Sequence, residues 1–147
     1  MDTPREAAFD SFVFTAAQLF RVPMAMIALA GHDRIWLKAS VGPLPRESAF
    51  DDTICAVALR TGETVVVEDA SADSRFANLP MVTHHPGVRF YAGIPLHGPQ
   101  NIPVGTLAVL DLRPHGIQER TLQQLKQLAV EAEDLLSSRI PTNEFGG

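Results

Sequence analysis

The run MAMIALA at residues 24–30, the turn Gly31-His32-Asp33 and the run IWLKASV at residues 35–41 together decide the class of fold. The first run is apolar throughout, so periodicity alone does not separate strand from helix. Its length and the turn that follows favour a strand buried on both faces. The second run alternates Ile35, Leu37, Ala39 and Val41 against Trp36, Lys38 and Ser40. A period of two is that of a strand, and two such runs across a short turn make a β-hairpin.

Helices flank this hairpin. On its N-terminal side, Phe9, Phe12, Val13, Ala16 and Phe20 follow the spacing of one buried helix face. Thr3-Pro4-Arg5-Glu6 reads as the start of that helix, with a capping box and proline at the first helical position. Pro23 ends it. On the other side, Gly42 to Ser48 carries two prolines and reads as a loop. Asp51-Asp52, then Ile54, Ala58 and Leu59, then Gly62 mark a short helix of about three turns.

Thr64 to Val67 is a β-branched strand. Asp69 to Gly87 has no period and is a loop long enough to serve as a lid or binding loop. Arg89 to Leu96 and Val104 to Leu110 are two further strands, with Gly105 marking a close backbone approach or a bulge. The last helix begins near Ile117. Its stripe of Leu122, Leu125, Ala129, Ala132 and Leu136, widened by Leu128 and Leu135, suits either packing on the domain or a coiled-coil seam. The order αββαβββα predicts an α+β fold with an antiparallel sheet and the terminal helices on one face.

The chain of 147 residues and 16.0 kDa has the length of one domain, placed at 1–140, with 141–147 as an unstructured tail. With 46% hydrophobic and 20% charged residues it reads as globular rather than disordered. A net charge of -5 argues against a nucleic-acid partner, since phosphate-backbone binding needs clustered cations. No apolar stretch is long enough to span a bilayer, and the acids near Met1 argue against a signal peptide. The lone Cys55 excludes an intrachain disulfide and any all-cysteine metal site, so the cytosol is the default compartment expected.

Catalytic motifs are missing: there is no G-x-S-x-G elbow, no phosphate loop, no G-x-G-x-x-G and no H-E-x-x-H. Of the five histidines only His84 and His85 are close, and adjacent residues make a poor metal site; solvated loop histidines are expected. Cys55, at the front of a short helix, has the place of a nucleophile. A buried, inert small side chain is the commoner role. Asp69, Asp73 and Asp111 could do acid–base work, but turn-holding aspartates are commoner. Trp36, Phe76, Phe90 and Tyr91 are aromatic handles for a planar ligand, or simply core. Arg89 suits a clamp on a carboxylate or phosphate as well as it suits an ion pair, whereas Arg75 is expected to pair with Asp69 or Asp73.

VVVEDASADSRFANLPMVT at residues 65–83 resembles a signature of GAF domains of the bacterial signalling type. GVRFYAGIPL (87–96), VGTLAVLDLRP (104–114), ICAVAL (54–59) and DRIWLKASVG (33–42) match the elements around it, in order. Val57 stands where a histidine is common. The resemblance covers about residues 6–138 and implies a central antiparallel sheet of five or six strands. The terminal helices would cover one face, and the short helix and long loop a pocket on the other. Carried over by position, it implies Trp36, Cys55, Phe76, Arg89, Tyr91 and Asp111 as ligand-binding residues.

What the resemblance implies about function is a sensor, not an enzyme. A small planar or anionic molecule of unknown identity would be bound, with no cofactor named. The signal would pass through the terminal helices to an output domain such as a histidine kinase or diguanylate cyclase, in a homodimer paired through the Leu122, Leu125, Ala129 and Ala132 stripe. The N-K-x-F-D-E motif of cyclic-nucleotide-binding members is absent, Cys55 lies in the wrong segment for bilin attachment, and one cysteine is too few for a free methionine sulfoxide reductase. The rival reading is a dimerising spacer whose pocket is filled by its own side chains.

Overall fold

The computed structural model describes residues 4–139; the cap at Thr3 and the tail 141–147 lie outside them. Helix α1 spans Pro4–Phe20, strands β1 and β2 Met24–Ala30 and Arg34–Val41, and β3 Glu47–Ala49. Helix α2 spans Cys55–Thr61, β4 Val65–Val67 and α3 Pro80–Thr83. Strands β5 and β6 cover Phe90–His97 and Pro103–Asp111, and α4 covers Glu119–Arg139. The six strands form one antiparallel sheet in the order β3-β2-β1-β6-β5-β4.

The expected hairpin forms, and β1 and β6 lie side by side at the centre of the sheet. A central strand covered on both faces needs apolar residues at every position, as the MAMIALA run supplies. Gly105 is a close approach, because a Cβ there would collide with the Ala28 carbonyl oxygen of the neighbouring strand. The hairpin differs from the simple alternation in one respect. Ile27 pairs with Ala39 but Ala28 pairs with Leu37, so the register steps across Lys38. A bulge of this kind exchanges the faces of the residues on either side of it. Ile35 therefore lies under the α2 side and Ala39 under the terminal helices.

Two hydrophobic layers result. Under α1 and α4, Phe9, Val13, Ala16, Ile27, Leu107 and Leu125 are among the buried side chains of one cluster. Against the other face, Met24, Met26, Ile54, Cys55, Phe76 and Tyr91 belong to the second. The α4 stripe is spent inside the chain: Leu125, Ala129, Ala132 and Leu136 are all buried, and Leu122, Leu128 and Leu135 pack against the same cluster. The dimer seam expected on that stripe is thus occupied by the domain's own sheet and α1, because the apolar face of a helix satisfies whichever surface reaches it first.

Three local expectations are corrected. The end of the proline-bearing loop pairs with β2 as β3, through Ile35 opposite Ser48 and Trp36 opposite Glu47. The expected three-turn helix is shorter: a 3-10 turn at Phe50–Asp52 is separated by an extended Thr53 from the seven-residue α2. Gly62 closes α2 in the left-handed conformation (φ 70°), donating its N–H to the Ala58 carbonyl. The long loop is built from turns. Asp69 accepts from the Ser71 N–H at 3.0 Å, Asp73 accepts from the Arg75 N–H at 3.0 Å, and α3 follows.

Replacing Leu125 by alanine is expected to lower the unfolding free energy by about 2–5 kcal/mol, the usual range for a buried leucine. Urea denaturation at several protein concentrations tests this. An unchanged midpoint with weakened self-association would return Leu125 to an intermolecular seam.

Candidate functional site

The bulge and the loops that follow it shape a cleft of about 400 Å3 beside the β2–β3 edge, on the face away from the terminal helices. Its base is apolar, made by Met26, Ile35, Leu37 and Cys55. One wall is Leu44, Pro45 and the β3 residues Glu47, Ser48 and Ala49. The facing wall is the segment from Pro80 and Met81 to His84, His85 and Pro86, with a cis peptide before Pro86. Arg34 is also on the lining and donates from Nε to Glu47 Oε1 at 2.7 Å. Asp52 and Thr53 complete the rim.

Cys55 is the one expected site residue on this lining. Its thiol is fully buried and accepts from the Tyr91 hydroxyl at 3.3 Å and from the Thr106 hydroxyl at 3.5 Å. Burial pushes the thiol pKa up, and the two hydroxyl donors oppose this without cancelling it. Burial also pushes the Tyr91 phenol well above its ordinary value, and the neighbouring Cys55 adds to the rise. A desolvated anion is disfavoured here, so the cluster is a neutral polar knot beneath the cleft rather than a thiolate nucleophile.

The remaining expected residues sit elsewhere. Trp36 pairs with Leu29, which belongs to the helix-side cluster, and is 43% exposed on that face. Phe76 and Tyr91 are buried in the second core layer beneath the cleft. Arg89 is half-buried and spends one guanidinium nitrogen on the carbonyls of Val82 and Val88, both at 3.0 Å, which pins the segment after α3 instead of facing the cleft. Asp111 lies at the far end of β6 opposite Phe90; it accepts from the Leu112 N–H at 2.6 Å and pairs with the His115 ring. Its position on the helix-side face follows from its partner, since opposed residues in a ladder share a face. Arg75 pairs with Asp73 at 2.8 Å, one of the two partners expected for it, and its guanidinium lies over the Phe76 ring. The side-chain hydrogen bonds from Arg75 hold the Asp73 carboxyl below its usual range.

The sequence reading passed over Met26, Arg34, Asp52 and Met81 as lining residues, together with both proline-bearing walls. The only signal available was the pair of proline-rich segments, Gly42–Ser48 and Pro80–Pro86, and nothing local says that the two face each other. Among the described residues no three His, Cys, Asp or Glu side chains converge on a metal-sized site, and no helix is long and apolar enough to cross a membrane.

A family model described as the GAF domain matches residues 4–135. The chain belongs to the GAF family. This GAF domain is 34% identical over 125 residues to a cyclic di-GMP phosphodiesterase of Pseudomonas aeruginosa, an alignment covering 84% of the chain and 21% of that protein. The chain therefore spans about a fifth of the length of this curated relative. Among solved structures, the GAF domain of an Acinetobacter phosphoenolpyruvate-protein phosphotransferase superposes with a TM-score of 0.74 at 20% identity, over 91% of this chain and 82% of that one. Free methionine-R-sulfoxide reductase of Neisseria meningitidis, solved in complex with its substrate, gives 0.76 at 22% identity, over 94% and 81%. At such identities the likeness establishes the shared fold.

The neutral thiol makes two predictions. Native Cys55 should react with a thiol reagent at least a hundredfold more slowly than the urea-unfolded chain; comparable rates would contradict its burial. The unfolded chain also loses this proton first, from about pH 8.5, so stability is fully present below that pH and falls as pH rises toward the higher folded value. Urea midpoints at pH 7 and 9.5 should separate in the parent and draw much closer in Cys55→Ala, where the buried Tyr91 phenol leaves a small remainder of the same sign.

Proposed function

We propose that this GAF domain is a sensory, regulatory module that binds a small molecule in the cleft and passes the signal through its terminal helices to an output domain. The observation that carries this reading is that β5 and β6 serve both sites. Tyr91 and Thr106 on these strands hold Cys55 at the base of the cleft. At the end of β5, the His97 N–H donates to Glu133 of α4 at 2.5 Å, and the His97 ring contacts the same carboxylate at 3.2 Å. At the end of β6, Asp111 pairs with His115 in the connection to α4, where the His115 ring also rests edge-on against Phe90. A ligand that shifts the base of the cleft thus acts on the two strands to which α4 is tied. Transmission requires unequal affinity for two helix arrangements.

An open cleft of about 400 Å3 favours this reading over a spacer whose pocket is filled by its own side chains. The protonated, buried state of the one cysteine favours regulation over thiol catalysis. The likeness to a cyclic di-GMP phosphodiesterase supports an output domain concerned with that second messenger, in the cytosol. With the α4 stripe occupied, pairing of two copies falls to the outer helix faces, where Phe14 and Val130 are 55% and 51% exposed.

The test is a thermal-shift panel of nucleotides, cyclic nucleotides, amino acids, amines, haem and aromatic acids on the parent and on Ser48→Trp, which fills the cleft from β3. A true ligand at a hundredfold excess over Kd stabilises the parent by about 2.7 kcal/mol. It should leave Ser48→Trp unmoved and change hydrogen exchange in α4. A flat response in both proteins, with identical exchange, would favour the spacer.

A further inference from the structure

The charge arrangement of the cleft narrows the chemistry of its occupant. Besides His84 and His85, the lining carries one arginine and two acidic side chains, Arg34, Glu47 and Asp52. Arg34 and Glu47 are already paired with each other at 2.7 Å. Asp52 has no hydrogen bond or ion pair among the described residues, whereas its neighbour Asp51 is matched by Arg60. With histidine counted as neutral, the lining therefore carries a formal net charge of -1 and one carboxylate without a partner among the described residues. A phosphate ester entering here would face two carboxylates and a single guanidinium, whose Nε is already on Glu47. No Phe, Tyr or Trp lines the cleft to stack on a nucleobase. The rings expected for that purpose lie on the opposite face or beneath the lining. The base offers flexible apolar surface instead, from Met26, Leu37 and Met81, and methionine adapts to irregular aliphatic shapes.

From this we infer that the cleft takes a small aliphatic molecule bearing a primary ammonium group, not a nucleotide, with the ammonium on Asp52 and the apolar body on Met26, Ile35 and Leu37. This rests on the cleft being a ligand site. On the facing wall His84 contacts the Thr83 hydroxyl through Nδ1 at 2.8 Å, which leaves its Nε2 and the His85 ring to hydrogen-bond a bound group. Arg34 uses Nε on Glu47, and its terminal nitrogens make no hydrogen bond among the described residues, which leaves them open to a carboxylate. Two sources share the required chemistry: a simple aliphatic amine, and an aliphatic α-amino acid whose carboxylate reaches Arg34.

The test uses isoamylamine, leucine, isovalerate, cyclic AMP and cyclic di-GMP as titrants in calorimetry and thermal shift. Binding by isoamylamine or leucine is expected, at least tenfold tighter than isovalerate, with no response to either nucleotide. Leucine tighter than the amine identifies the zwitterion, and Arg34→Lys should then weaken leucine alone. Asp52→Asn should weaken both amines about tenfold while leaving the unliganded melting temperature unchanged, since the Asp52 side chain is exposed and has no hydrogen bond or ion pair among the described residues to lose. Binding of isovalerate or a cyclic nucleotide that Ser48→Trp abolishes would overturn the inference and leave the sensor reading standing. Silence from both amines also overturns it, and the sensor reading is then judged separately by the broad panel.

Discussion

The pairing of β1 with β6, from Met24 opposite Leu110 to Leu29 opposite Gly105, is the contact on which the rest of the structure depends. It joins the N-terminal hairpin to the C-terminal one across about eighty residues of chain. Both strands become central, with layers on each face, and their near-complete apolarity is the consequence. The close approach at Gly105 sets how tightly the halves can meet, because a side chain there would push against the Ala28 carbonyl. Without this pairing neither hairpin would have enough covered surface to persist, since an isolated hairpin is marginal in water.

The bulge at Lys38 divides the labour between the two faces. Before it, Ile35 and Leu37 serve the cleft; after it, Ala39 and Val41 serve the helical layer. One strand thereby contributes to two cores and turns its outer end toward β3, where the cleft opens. The same step carries Trp36 away from the cleft, so the largest aromatic of the N-terminal half is not available for stacking there. What remains is an aliphatic base with a charged rim.

The polar groups pair off in two places, at the base of the cleft and at the strand ends that lead to α4. Cys55, Tyr91 and Thr106 satisfy one another beneath the cleft, so no buried polar group is left without a partner there. On the opposite face, His97 with Glu133 fastens the end of β5 to α4, and His115 with Asp111 fastens the end of β6 to the connection that leads into α4. Contacts at strand ends cost little to rearrange compared with the packed centre of the sheet. Buried cores are dense and resist gradual deformation, so a change in the sheet is passed on most readily at its margins.

The sequence by itself determined the class of fold, the antiparallel hairpins, the terminal helices and the family. Each is written in local signals: the period of the apolar residues, the turn glycines and the order of a few motifs. It also indicated that Arg75 would be spent on a neighbouring aspartate and that Asp69 and Asp73 would hold turns, because those partners are two residues away. Only the tertiary structure decided which face each residue took and which distant segments met. The unbroken alternation of Ile35 to Val41 conceals a bulge, and a shift of one residue reverses every side chain beyond it. Arg89 reads as an anion clamp until the carbonyls of Val82 and Val88 come within reach. The stripe on α4 fits a partner helix and the domain's own sheet equally well, and proximity within the chain settles which is covered. The cleft belongs to this second class, since its walls are two proline-bearing segments some forty residues apart that face each other only once the sheet has formed.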